Sequence, residues 1–144
     1  VCVMDADLSH PPALLSKLIT EIQNGADIAV GSRRIQGGGV EEWPLDRKIY
    51  SYVSGWFALP LSCGVRDPLS GFFAFKKSVI DGVVLEPIGY KILLEILVKG
   101  KFDRAVEVPY MFRNRDVGKS KLSTRVALQY YKHLVLLYKY KLMN

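Results

Sequence analysis

Val1-Cys2-Val3-Met4-Asp5-Ala6-Asp7-Leu8-Ser9-His10-Pro11-Pro12, with the run that follows it to Val30, decides the fold class of this chain. Val1 to Met4 reads as a short apolar strand that stops at two acids. Ser9, Pro11 and Pro12 mark a helix start, and Leu14, Leu15, Leu18, Ile19 and Ile22 recur at helical spacing until Asn24-Gly25 closes the helix. Asp27 to Val30 then reads as a second buried strand. Strand, helix and strand in this order form a βαβ unit, which predicts an α/β architecture: a mainly parallel sheet flanked by helices.

Further along, Gln36-Gly37-Gly38-Gly39-Val40 reads as a flexible loop. Beyond it Ile49, Tyr52, Val53, Trp56 and Phe57 fall on one helical face and Arg47, Ser51 and Ser54 on another, predicting an aromatic-rich amphipathic helix. Gly71 to Phe75 is expected to be a strand, and Pro87 to Gly100 a helix carrying Ile88, Ile92, Leu93, Ile96 and Leu97. Ala105 to Tyr110 reads as another strand. A basic loop from Arg113 leads into a final helix rich in Tyr, Leu and Lys. Because the chain opens in the middle of a strand, it reads as a fragment of a longer protein.

With 144 residues, 49% of them hydrophobic and 24% charged, the chain can bury the core of one domain or of a large piece of one. The formal net charge of +6 is unevenly placed: residues 99–144 carry eleven Lys or Arg against three acids. Such an end points to a polyanionic partner, whether nucleic acid, acidic lipid or a phosphorylated substrate. Cys2 and Cys63 lie far apart and the two histidines are His10 and His133, a pattern that argues against a disulfide framework or a zinc site. The sequence contains neither a signal peptide nor an apolar run of about 18 residues, so cytosolic residence is the default expectation.

Asp5 and Asp7 stand at the carboxyl end of the first strand, the edge at which open α/β sheets bind ligands. Two carboxylates with room for water and phosphate suit Mg²⁺ or Mn²⁺, which prefer oxygen ligands. The spacing alone is also that of an ordinary polar strand end. An EF-hand is excluded, because the sixth position counted from Asp5 is His10 and the twelfth is Ser16.

More specific is an ordered series of motifs. The opening stretch is followed by Gly31-Ser32-Arg33-Arg34, Asp67-Pro68-Leu69-Ser70-Gly71-Phe72-Phe73, Ile88-Gly89-Tyr90-Lys91-Ile92-Leu93-Leu94-Glu95, Glu107-Val108-Pro109, and Arg115 through Gly118-Lys119-Ser120-Lys121-Leu122. In this order, and over nearly the whole chain, they resemble the dolichyl-phosphate mannosyltransferase group of family-two glycosyltransferases. The resemblance implies a GT-A-like, Rossmann-related fold whose amino-terminal part is missing here. It divides the chain into residues 1–125, the carboxyl-terminal catalytic part, and residues 126–144, a basic amphipathic helix at a membrane surface.

The same resemblance implies roles for residues. Asp5 and Asp7 would be the metal-binding pair for Mg²⁺ or Mn²⁺, with Ser9 at a third ligand position where some members carry Gln. Arg33, Arg47 and Ser51 match positions that face the acceptor phosphate, and a guanidinium fork grips phosphate well. Asp67 matches an acid facing the active site and is grouped with Asp5 and Asp7 as catalytic. Arg115, Ser120 and Lys121 match a loop that closes over the donor diphosphate, with Gly118 at the bend. Glu95 is either a substrate contact or a core-edge acid, and His10 and His133 are expected to be structural.

The expected partners are a nucleotide-sugar donor, a polyprenyl (dolichyl) phosphate acceptor and a membrane surface at its cytoplasmic face, with no nucleic acid. Trp43, Tyr50, Tyr52, Trp56 and Phe57 beside Arg47 and Lys48, together with the terminal helix, compose an aromatic and basic interface. The expected reaction is inverting transfer of mannose from GDP-mannose. UDP-glucose as donor is the near alternative, and a basic α/β nucleic-acid-binding module the alternative from another class.

Overall fold

The computed structural model describes residues 1–143 apart from Leu8, Glu42, Tyr90 and 114–123. Its first strand, β1 (Cys2–Val3), leads through helix α1 (Ala13–Gln23) to β2 (Ile28–Ser32). After β3 (Gly39–Val40) come α2 (Leu45–Ala58), β4 (Phe73–Phe75), α3 (Ile92–Lys99), β5 (Ala105–Pro109), β6 (Met111–Phe112) and α4 (Thr124–Met143).

The main sheet has the order β1-β4-β2-β5. β4 is antiparallel to both β1 and β2, while β2 is parallel to β5 in the register Ile28↔Ala105 to Ser32↔Pro109. Thus β1, β2 and β5 share one direction and β4 runs against them, inserted between the two strands of the βαβ unit. The carboxyl ends of three strands and the entry to β4 therefore meet along one sheet edge.

Two-residue alternation sorts the core. Ile28, Val30, Phe73 and Phe75 face α3, packing on Leu93, Ile96 and Leu97. Ala29, Ala74 and Phe72 face the other way, against Leu14 and Leu18 of α1. A third cluster joins Leu94 to Tyr130, Leu134 and Leu137 of α4. Buried residues at 130, 133, 134 and 137 follow helical spacing, so α4 packs as part of the body. The expected division at residue 125 falls inside this one helix.

Two local expectations need correction. The glycine loop is tied down, since Gly39–Val40 pairs in parallel with Met111–Phe112. The third helix begins at Ile92, about a turn later than Pro87 predicted, because Gly89 adopts φ 75° and Lys91 lies outside helical geometry. The resulting irregular segment is what brings Ile88, Gly89 and Lys91 to the cavity described next.

Candidate active site

A cavity of about 490 Å³ opens at the shared sheet edge. Asp5 and Asp7, just past β1, line it on one side; Arg33, just past β2, and Arg47 and Ser51, on α2, line it too. Asp5, Asp7, Arg33 and Arg47 are thus brought into one space by elements far apart in the chain.

Each acid is held by its neighbours. The Asp5 amide donates to His10 Nδ1 at 3.2 Å. His10 is buried among Phe72, Tyr110 and Phe112, with ring centroids 5.0–5.6 Å away, and accepting that bond requires Nδ1 to be unprotonated. Gly71 leaves space for the carboxylate, since a Cβ there would lie 3.3 Å from Asp5 Oδ2. Asp7 Oδ1 accepts from the Ser9 amide at 3.1 Å and from the Ser9 hydroxyl at 2.5 Å.

Ser9 is therefore placed differently from the expectation of a metal ligand. Its side chain is buried, lies outside the cavity lining and is turned onto Asp7. The carboxylate oxygens of Asp5 and Asp7 remain the donors presented to the cavity. Among the described residues no group of three or more His, Cys, Asp or Glu side chains gathers as a metal site. Two carboxylates fit Mg²⁺ or Mn²⁺, which take one or two from protein and complete their shell with water and phosphate.

Asp67 also departs from the expectation. It is fully buried and grips Arg33 with both oxygens, Nε–Oδ2 and Nη2–Oδ1 each 2.7 Å, while the Arg33 amide donates to Oδ2 at 3.0 Å. Its own amide donates to Glu107 Oε1 at 3.1 Å. Asp67 does not line the cavity; it orients the arginine that does. Burial opposes the charge of both partners, but their hydrogen bonds and mutual attraction prevail, holding the carboxyl below and the guanidinium above the ordinary value.

Arg47 stacks over Trp43, its guanidinium carbon 4.1 Å from a ring centroid. Lys91 is a cavity cation to which sequence reading assigned no role. Its Nζ donates to the Leu69 carbonyl at 3.0 Å, and burial, reinforced by Arg33, pulls its pKa down to about 8. The only sequence signal for it was its place after Gly89 in the quoted motif. Glu95, by contrast, faces away from the cavity: it is fully buried, accepting from Lys99 Nζ and from the Glu86 amide, each at 2.7 Å. His133 lies beside it, its Nε2 3.5 Å from Glu95 Oε2. Arg115, Gly118, Ser120 and Lys121 lie outside the described residues.

On the outer side of α2, Ile49, Tyr52, Val53, Trp56 and Phe57 are exposed, Trp56 by 68%. Phe57 reaches Tyr131 of α4 at 6.4 Å between centroids, and Leu128, Val135 and Leu136 of α4 are exposed as well. Among the described residues, no helix is long and apolar enough to cross a membrane.

A family model described as Glycosyl transferase family 2 matches residues 1–83. The chain is 51% identical over 142 residues to a dolichol-phosphate mannosyltransferase of Pyrococcus furiosus, a match covering 96% of this chain and 40% of that protein. It is 39% identical over 150 residues to a protein of the same name from Saccharomyces cerevisiae, covering 98% and 55%. To a polyprenol monophosphomannose synthase of Mycolicibacterium smegmatis it is 35% identical over 127 residues, covering 83% and 48%. The chain spans about half the length of the curated relatives it matches.

Proposed function

The chain belongs to glycosyl transferase family 2, and from that premise we propose that its parent protein transfers mannose from GDP-mannose to a polyprenyl phosphate at the cytoplasmic face of a membrane. The observation that carries this reading is the single cavity in which Asp5 and Asp7 share space with Arg33, Arg47 and Lys91. A transfer between two phosphorylated substrates needs both kinds of charge there: carboxylates to share a cation with the donor diphosphate, and cations to seat the acceptor phosphate. The names of the curated relatives support mannose and a polyprenyl acceptor.

Asp5 and Asp7 would hold Mg²⁺ or Mn²⁺, which when bound stabilises the charge of the departing nucleoside diphosphate. Ser9 fixes the rotamer of Asp7 through its hydroxyl. Arg33, aimed by Asp67, and Arg47, braced on Trp43, grip the acceptor phosphate together with Ser51. A phosphate monoester has its second pKa near ~6, so the acceptor oxygen is a ready nucleophile at neutral pH and no general base is required. Its attack on the anomeric carbon displaces the diphosphate with inversion. The exposed aromatic side of α2 backs onto the same helix that carries Arg47 and Ser51, which suits an acceptor whose tail stays in lipid.

The test uses the full-length protein with radiolabelled GDP-mannose or UDP-glucose, dolichyl phosphate and Mn²⁺. Label extracted into organic solvent from GDP-mannose alone, and lost with chelator, is the expected result. Label arriving from UDP-glucose alone, or undiminished by chelation, would overturn the donor or the metal assignment respectively.

A further inference from the structure

Arg34 has no part in the chemistry above, yet its side chain is held on several sides. Only 16% of it is exposed. Its Nη2 donates to the Ser51 carbonyl at 2.5 Å, its guanidinium carbon lies 5.2 Å from the Tyr52 ring centroid, and Nε is 3.9 Å from Asp67 Oδ1. The guanidinium fills a notch in α2 that exists because residue 55 is glycine; a Cβ at Gly55 would collide with Nη1, Nη2 and Cζ. Glycine in mid-helix costs stability relative to alanine, so the notch has to be offset by what occupies it.

Position matters here. Arg47, Ser51 and Gly55 are spaced four residues apart and so lie along one face of α2. Arg47 and Ser51 line the cavity, and Arg34 clasps the helix between Ser51 and Gly55. From α4, the Tyr130 hydroxyl donates to the Ser54 carbonyl at 2.5 Å on the same turn. The opposite side, at Ile49 and Val53, is exposed. Arg34 and Tyr130 thus hold α2 from its inner side, next to the residues that line the cavity.

We propose that Arg34 is a positioning residue which, seated in the Gly55 notch, fixes the turn of α2 that delivers Ser51 and Arg47 to the acceptor phosphate. This rests on the reading given under the proposed function. It assigns Arg34 no contact with substrate.

The experiment is a double-mutant cycle in the full-length protein: Arg34→Ala, Gly55→Ala and the pair, with Arg34→Lys as the conservative variant. Each is read by KM for polyprenyl phosphate, KM for GDP-mannose and melting temperature. Arg34→Ala and Gly55→Ala should each raise the acceptor KM about tenfold, the order of one charge-assisted hydrogen bond, leaving the donor KM unchanged. The pair should be no worse than Arg34→Ala alone, because an alanine at 55 has nothing left to displace. Arg34→Lys should restore part of the acceptor affinity. Effects that multiply independently, or that change both KM values alike, would overturn the proposal. A wild-type parent that transfers no sugar would count against the proposed function instead, while the melting-temperature cycle would still decide whether Arg34 and Gly55 act as one clasp.

Discussion

Asp67 and Arg33 are joined by three hydrogen bonds: both carboxylate oxygens meet the guanidinium fork at 2.7 Å, and one of them also accepts from the arginine's own amide at 3.0 Å. The arginine side chain is 11% exposed and the aspartate not at all. A buried pair of this kind stabilises less than its geometry suggests, but breaking it is costly because the surviving charge is left without a partner.

Asp67→Ala should accordingly destabilise the protein by about 3–5 kcal/mol, measured by chemical denaturation. Asp67→Asn keeps the shape and loses the charge, so it should retain more stability while still weakening acceptor binding through a misaligned Arg33. A fully stable, fully active Asp67→Ala variant would refute the positioning role.

Ser9 offers a graded test of the carboxylate pair. Asp7→Asn should abolish Mn²⁺-dependent donor binding. Ser9→Ala, which only releases the carboxylate from its hydroxyl partner, should weaken metal affinity by about 10–100-fold, as is usual when a ligand's supporting hydrogen bond is lost. Titration calorimetry with Mn²⁺ and GDP distinguishes the two. Equal effects would make Ser9 a direct ligand.

Lys91 predicts a pH dependence. Its pKa is pulled to about 8 in the folded protein against an ordinary 10.5, so between these values the unfolded chain holds a proton that the folded chain has lost. Stability from this group therefore rises with pH across that window, whereas affinity for phosphate anions falls as the ammonium discharges above about 8. Lys91→Met should flatten both trends, read by denaturation midpoints and by pyrophosphate binding at successive pH values. A wild-type affinity that stays level from pH 7 to 9.5 would speak against a cationic role.

The exposed face of α2 predicts a separable defect. Replacing Trp56 and Val53 with Ser should leave folding stability within about 0.5 kcal/mol, since exposed side chains contribute little to it. Binding to anionic phospholipid vesicles, followed by co-sedimentation, should drop. Unaltered vesicle binding would remove this face from the interface.

Much was legible in the linear chain because it depends on local rules. Strand ends, helix starts and the two-residue and helical alternation of apolar positions locate β1, α1, β2 and α2, and they set Asp5 and Asp7 at the end of a strand. Long motifs in fixed order pointed to the family that the model of residues 1–83 matches, and with it to the GT-A fold. What these rules did not reveal concerns pairing across distance. The insertion of β4 between β1 and β2 depends on strand neighbours more than forty residues apart. The late start of α3 turns on Gly89, whose left-handed backbone is invisible to a pattern of apolar spacing.

Sequence by itself therefore determined which residues carry charge and on which elements they ride: acids after β1, arginines after β2 and on α2. Only the tertiary structure decided what each charge faces. It turned Asp67 onto Arg33 and Ser9 onto Asp7, brought Lys91 into the cavity, and seated Arg34 against Gly55. The physical reason is that a side chain's job is set by its nearest partners in space. A buried carboxylate must find a cation and donors wherever the fold supplies them, and those partners come from segments whose separation along the chain carries no such information.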